Sequence, residues 1–258
     1  MSSKITIIGA GSVGSTIAYT LSSQDIASEI VLIDINKKKA EGEVLDIIQG
    51  TCFRDPINIK AGEYEDAKDS NIVIITSGIA RKPGQTRIEL AQTNVNILKD
   101  ITPKIVKEAP NALYVIVSNP VDIMTYVFTK ISGLPENQVV GSGTILDTAR
   151  LRCGLAEHFD IAQKNIHAYV FGEHGDTSFI PWSRAHISCA NIDEYTTLMN
   201  NIGKSRLWIK MQCLNMYRNP VERSLQTKVL HSMQYLLLYV VCADFCCLLM
   251  ILPQRYLL

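Results

Sequence analysis

Short apolar runs alternate with longer amphipathic stretches through the first 150 residues, and that alternation predicts a parallel sheet wrapped by helices. The predicted strands are Lys4–Ile8, Ile30–Ile33, Ile72–Thr76, Leu113–Val117 and the short Val139–Gly141. Their continuous apolar character fits strands covered on both faces. Helical periodicity runs over Val13–Ser23 and Lys37–Gly50, then over a long stretch from about Ile88 to Glu108 that Pro103 should break and Pro110 should stop. A further helix is predicted over Asp147–Phe159, and a strand over His167–Val170 that opens on Gly172. The pattern is that of an α/β chain with a doubly wound parallel sheet, without internal repeats or a low-complexity linker.

Composition narrows the partners. Twenty-five basic residues balance twenty-five acidic ones over 258 residues, so neither nucleic acid nor an anionic membrane is expected, and the substrate should be small. Met1 to Ile8 runs straight into a strand pattern with no apolar signal core and cleavage site, which predicts a cytoplasmic chain. The seven cysteines (Cys52, Cys153, Cys189, Cys213, Cys242, Cys246, Cys247) are odd in number and irregularly spaced, as expected of reduced thiols.

Gly9-Ala-Gly11-Ser-Val-Gly14 follows the first predicted strand and opens the first helix. Glycine allows a tight turn and a close backbone approach to a pyrophosphate, whose charge then rests on free amides at the positive end of the helix. Asp34 lies twenty residues beyond Gly14 at the end of the second strand, where a carboxylate accepts both ribose hydroxyl hydrogens. It also repels a 2'-phosphate, so NAD is expected rather than NADP.

Gly172-Glu-His174-Gly-Asp176 sets a histidine between glycines just after a predicted strand. A lone histidine is more often structural than catalytic, so partners are needed. Asp147 and Arg150 supply them at i and i+3 on one helix face. An aspartate fixes the imidazole tautomer and stabilises imidazolium, and an arginine holds a substrate carboxylate through two parallel hydrogen bonds. The segment from Ser77 to Arg87, punctuated by Gly78, Pro83 and Gly84, reads as a mobile lid that brings Arg87 onto a reacting carbonyl and excludes water. Asn119, held extended before Pro120 at the end of the fourth long strand, is placed to bond the nicotinamide ribose and the substrate oxygen.

These motifs, in this order, resemble the lactate and malate dehydrogenase family, and within it the bacterial, clostridial-type L-lactate dehydrogenases. The resemblance covers Met1 to about Tyr195 and includes Ser118-Asn-Pro-Val-Asp122 and Gly141-Ser-Gly-Thr-Ile-Leu-Asp-Thr-Ala-Arg150. It implies a Rossmann NAD-binding domain over 1–143, the start of an α+β substrate domain over 144–200, and an atypical tail over 201–258. It implies His174 as acid/base, Asp147 as its partner, Arg150 as carboxylate clamp and Arg87 as the arginine that polarises the carbonyl, with Arg81, Asn119 and Asp122 also facing substrate. Gly9, Gly11, Val13, Gly14, Asp34, Lys39, Tyr64, Gly78, Ile79, Val117, Asn119 and Ser142 should border NAD. Arg152 and His167 match positions that bind fructose 1,6-bisphosphate between subunits of allosteric members, which are homotetramers. No metal is expected. The implied chemistry, NAD-dependent interconversion of pyruvate and (S)-lactate, belongs to glycolysis and fermentation.

One position pulls toward malate. Arg81 stands where lactate enzymes usually carry Gln and malate enzymes carry Arg, whose charge pairs with a second carboxylate. Against it, Gly172-Glu-His-Gly-Asp176 and the following Thr-Ser-Phe-Ile-Pro-Trp-Ser resemble lactate enzymes, as does Ile79-Ala-Arg-Lys-Pro-Gly-Gln85. Lactate is the stronger reading.

After about Met199 the resemblance stops. Leu236–Leu252 is apolar enough to suggest a membrane span, but Asp244 at its centre and its marginal length argue otherwise, and Cys242, Cys246 and Cys247 lack a second ligand pair for a metal. Reading codons for Lys204–Gln212, Lys228–Gln234 and Leu249–Leu258 at one common offset restores three family-like stretches. That pattern predicts a reading-frame slip near residues 199 to 204, which would replace the end of the substrate domain and leave either a weak enzyme or a silent NAD-binding remnant.

Overall fold

A computed structural model describes residues 3–53, 56–79 and 86–202. The tail 201–258, with its apolar run, its cysteines and the predicted frame slip, lies outside the described residues from 203 onward. The contacts divide the chain into a unit that runs to Ser142 and a second that begins at Gly143.

In the first unit, strands β1 (Lys4–Ile8), β2 (Glu29–Ile33), β3 (Asn58–Ala61), β4 (Ile72–Ile75), β5 (Leu113–Ile116) and β6 (Val139–Gly141) form one sheet in the order β3-β2-β1-β4-β5-β6. Every pair is parallel, with Ile5 opposite Ile30 on one side and Ile72 on the other. Successive side chains of a strand point to opposite faces, so each apolar run feeds two cores. Ile5, Ile7, Ile30, Leu32, Ile72, Ile74 and Val115 pack with Ile17 and Leu21 of helix α1 (Ser12–Ser23) and Val44 and Ile47 of α2 (Lys37–Gly50). Ile8, Val31, Ile33, Val73, Ile75, Tyr114 and Ile116 pack with Leu98, Ile101 and Ile105 of α3 (Arg87–Glu108) and Met124 and Phe128 of α4 (Val121–Ser132). This is a doubly wound Rossmann sheet, whose crevice for a dinucleotide lies at the carboxyl ends of β1 and β4, where strand order reverses.

In the first unit the structure departs from the sequence reading in three places. Pro103 does not break α3, which runs unbroken from a Thr86–Glu89 capping box to Glu108. Pro103 and Lys99 both sit on the exposed face, so the carbonyl deprived of its helical partner is at the solvent side, where water satisfies it. The strand β3 and the helix α4 were not anticipated; β3 is an edge strand with one fully buried residue, Ile59, and carries too few apolar positions to register.

The second unit opens with α5 (Ile145–Phe159), followed by β7 (Ile166–His167), β8 (His186–Ile187) and β9 (Ala190–Asn191) in a small antiparallel sheet, and α6 (Ile192–Asn201). Leu151, Leu155, Ile166, Ala168, Val170, Ile180 and Ile187 form its core. The strand predicted over His167–Val170 is shorter than expected. Beyond His167 the backbone of Val170 bonds the side chains of Thr144, the N-cap of α5, and Thr148 in its first turn instead of a neighbouring strand.

Candidate active site

At the end of β1 the backbone turns through Gly9, whose φ of +110° is left-handed; a Cβ there would meet Thr76 Oγ1 at 2.8 Å and Ser77 N at 2.9 Å. The Thr76 hydroxyl holds the turn against β4 by bonding the Ile8 and Gly9 carbonyls at 3.1 and 3.0 Å. A Cβ on Gly14 would fall 1.8 Å from the Gly9 carbonyl oxygen, whereas one on Gly11 would meet nothing within 4 Å. The first glycine and the third make the turn close, and the second faces open space at the helix N-terminus. Gly11 is the N-cap of α1 and brings no side chain to its first-turn amides, so their partial positive charge suits an anion.

Asp34, just past β2, accepts the Ala10 amide at 2.6 Å through Oδ2 and the Asn36 amide at 2.8 Å through Oδ1. A carboxylate has about four acceptor sites, so it can take ribose hydroxyls as well. Lys39 lies exposed in the first turn of α2, and Val13 is partly buried in that of α1. Tyr64 lies half-buried between β3 and β4; burial raises its hydroxyl pKa, against the opposing charge of Lys104. Gly78 and Ile79 follow β4, Val117 and Asn119 follow β5, and Ser142 follows β6, its amide bonding the Ile116 carbonyl at 2.9 Å. Among the described residues the buried Ser77 hydroxyl has no hydrogen-bond partner, and Ser77 lies beside the glycine turn. Glycine cradle, acid and orphan hydroxyl together fit a dinucleotide. Asp122 is exposed in the first turn of α4. Arg87 is the first residue of α3. Arg81 and the Arg87 side chain lie outside the described residues.

In the second unit, Asp147 Oδ2 lies 2.5 Å from His174 Nδ1, and its Oδ1 lies 3.5 Å from Arg150 Nη1. Asp147 is buried, with 6% of its surface exposed, while His174 and Arg150 keep about a quarter and a fifth of their side chains accessible. Burial lowers the Arg150 pKa, and the Asp147 charge opposes that shift; a guanidinium stays protonated regardless. A carboxylate on Nδ1 keeps a proton there and assigns proton exchange to Nε2.

Two threonines set this geometry. Thr144 Oγ1 donates to the Val170 carbonyl at 2.7 Å, and the Val170 amide donates to Thr148 Oγ1 at 2.9 Å, so the segment leading to His174 is fastened to the helix that carries Asp147. Phe171 and Phe179 then exchange two backbone bonds of 2.9 Å and close the loop bearing His174. Arg152 donates from Nε to the Ala168 carbonyl at 3.1 Å and lies 4.7 Å over the Tyr169 ring, two residues from exposed His167.

Residues 3–141 match the family model described as lactate/malate dehydrogenase, NAD binding domain, and residues 144–207 match the model of the family's alpha/beta C-terminal domain. The chain belongs to the lactate/malate dehydrogenase family. Its cofactor is NAD. An L-lactate dehydrogenase of Clostridium perfringens is 54% identical over 192 residues, covering 74% of this chain and 61% of the relative. An L-lactate dehydrogenase of a Thermoanaerobacter species is 53% identical over 195 residues, covering 76% and 63%. The ligand-bound minor L-lactate dehydrogenase of Enterococcus mundtii superposes with a TM-score of 0.82 at 36% identity, covering 91% of this chain and 75% of that one. The chain thus spans about three fifths of the length of these curated relatives.

Three residues of this family member escaped the sequence reading. Thr144 and Thr148 flank the Asp147 motif and look like ordinary helix-start residues, with nothing local to reveal their bonds to Val170. Asn94 sits mid-helix in α3, where a buried asparagine is unusual, yet it is only 2% exposed. An asparagine aligned with the apolar positions of the α3 periodicity is the signal that could have found it.

Proposed function

We propose that this family member catalyses the NAD-dependent interconversion of pyruvate and (S)-lactate, with His174 exchanging the proton. The observation that carries this reading is the Asp147 carboxylate 2.5 Å from His174 Nδ1, on a helix that also bears Arg150. In the reduction, Arg150 holds the substrate carboxylate through parallel N–H bonds, and His174 Nε2 gives its proton to the carbonyl oxygen. Asp147 stabilises the imidazolium before that transfer and retains the Nδ1 proton after it. In the reverse direction Nε2 takes the hydroxyl proton. NAD, when bound, supplies or accepts the hydride at substrate C2. Gly11 leaves room for its pyrophosphate, and Asp34 for its adenosine ribose. Arg87 polarises the carbonyl and Asn119 orients it.

The malate alternative, which rested on Arg81, is not favoured: the curated relatives reported above are L-lactate dehydrogenases. Among the described residues no helix is long and apolar enough to cross a membrane, in keeping with a cytoplasmic fermentative role. Arg152 over the Tyr169 ring, with His167 exposed two residues before that tyrosine, supports a phosphate effector of the fructose 1,6-bisphosphate kind between subunits of a tetramer. For 201–258, a reading-frame slip explains why the resemblance stops, and a coding sequence in which no single-base change restores a family-like ending refutes it.

Steady-state NADH oxidation with pyruvate and with oxaloacetate tests the reading. Preferential turnover of pyruvate is expected. Preference for oxaloacetate overturns the substrate assignment, and NADH binding without turnover of either identifies a silent remnant.

A further inference from the structure

The parallel ladder between β4 and β5 ends where Val117 N and Ser118 N donate to the Ile75 carbonyl at 2.9 and 3.2 Å. Past that point two turns carry residues expected at the cofactor, Ser77–Ile79 and Ser118–Pro120, and the sheet no longer holds them in register. Two buried side chains, Asn94 and Ser118, take over. Asn94 Oδ1 accepts the Ile79 amide at 2.9 Å, and its Nδ2 donates to the Asn119 carbonyl at 2.7 Å and the Ile79 carbonyl at 3.4 Å. Gly78 allows the approach, since a Cβ there would stand 3.3 Å from Asn94 Oδ1. From the other side, the Ser118 hydroxyl bonds the Ser77 carbonyl at 2.6 Å.

We infer that Asn94 is a positioning residue for the nicotinamide half of the cofactor, because its carboxamide locks the turn after β4 to the turn that presents Asn119. The inference rests on the NAD reading of this crevice. The Asn carboxamide offers an acceptor and donors on two separate atoms that reach both turns at once; Asp lacks the donor, Leu lacks both, and Gln is longer by a methylene. The location assigns the half. In a doubly wound sheet the strands on either side of the reversal each receive one mononucleotide. The glycine cradle and Asp34 belong to β1 and β2, whereas the turns that Asn94 joins belong to β4 and β5. Loosening them should cost the nicotinamide end and spare the adenosine end.

The test compares binding of NADH with binding of ADP, which lacks both the nicotinamide and the ribose expected at Asn119, to the full chain and to Asn94→Asp, Asn94→Leu and Ser118→Ala. Thr102→Val serves as control, because Thr102 is buried on the same helix but bonds only the Leu98 carbonyl of its own helix at 2.7 Å. Both Asn94 variants should lose about tenfold or more in NADH affinity while ADP changes by less than about twofold, and Ser118→Ala should show the same split more weakly. Thr102→Val should change both probes by one factor. Hydrogen exchange without cofactor supplies a second readout: the Ile79 amide should lose protection in the Asn94 variants while the β4 amides keep theirs. Equal losses for NADH and ADP, unchanged NADH affinity, or unchanged Ile79 exchange overturns the inference. Should the Asn94 variants fail to fold, absence of the split in Ser118→Ala overturns it. If the unsubstituted chain binds neither probe, the NAD reading fails by itself, and Ile79 exchange still decides whether Asn94 locks the turns.

Discussion

The two glycines that flank the N-terminus of α1 should respond to alanine in opposite ways. In Gly14→Ala the new Cβ lies 1.8 Å from the Gly9 carbonyl oxygen and 2.8 Å from Thr76 Oγ1. Real Cβ contacts stay beyond 3.0 Å, so α1 must retreat from the turn by more than an ångström. The obstacle is backbone and cannot rotate away, so the cost should reach or exceed the upper end of ordinary overpacking, about 3 kcal/mol, or roughly 6–12 °C in Tm at this chain length. In Gly11→Ala the methyl meets nothing within 4 Å, and φ is −74°. Alanine is the poorer N-cap but restricts the unfolded chain, so stability should stay within about 1 kcal/mol. The same methyl occupies the space assigned to a pyrophosphate. Displacing one or two charge-assisted hydrogen bonds, each worth about 1.5–3 kcal/mol, should weaken NADH at least about tenfold. Thermal unfolding without cofactor and fluorescence titration with NADH separate the two effects. Gly11→Ala that binds NADH like the unsubstituted chain refutes the assignment of that space, and Gly14→Ala with unchanged Tm refutes the packing argument.

Three further outcomes are expected. Asp147→Asn removes the charge beside His174 and should slow pyruvate reduction by about 30- to 100-fold, equivalent to about 2–3 kcal/mol. The pH above which the rate falls should also move lower, since the carboxylate favours the protonated ring; overlapping pH profiles would contradict this. Tyr114→Phe should cost about 1–2 kcal/mol in denaturant unfolding. It removes the second bonds of the Ala109 and Ile105 carbonyls, which the fully buried hydroxyl donates to at 2.9 and 3.2 Å and which keep only their backbone amide donors, and burial also raises the pKa of that hydroxyl. Asp66 is held below the ordinary carboxylate range by Lys60 and the Glu63 amide, so its stabilisation is present above that range and disappears as pH falls through the folded-state pKa. Because the pair is well exposed, Asp66→Asn should cost only a few tenths of a kcal/mol at neutral pH, and urea midpoints of the two proteins should converge in acid.

Much of this molecule is written in local sequence. Apolar runs covered on both faces admit few structures other than strands of a wrapped parallel sheet, which is why β1, β2, β4, β5 and β6 could be read within a residue or so of their ends. The glycine turn and the Asp147-x-x-Arg150 pair were equally legible, because close backbone approach and i, i+3 spacing are properties of a few consecutive residues. Pro103 misled because the rule against proline in a helix ignores which face the proline occupies, and exposure is a tertiary property. The segment after His167 misled because its backbone partners are Thr144 and Thr148, more than twenty residues away in sequence. The sequence alone marked the candidate chemical residues and the doubly wound sheet of the first unit. Only the tertiary structure decided how they are held: a hydroxyl or carboxamide chooses its partner by proximity in space, so the bonds that press His174 toward Asp147 and join the two turns through Asn94 had no periodicity to announce them.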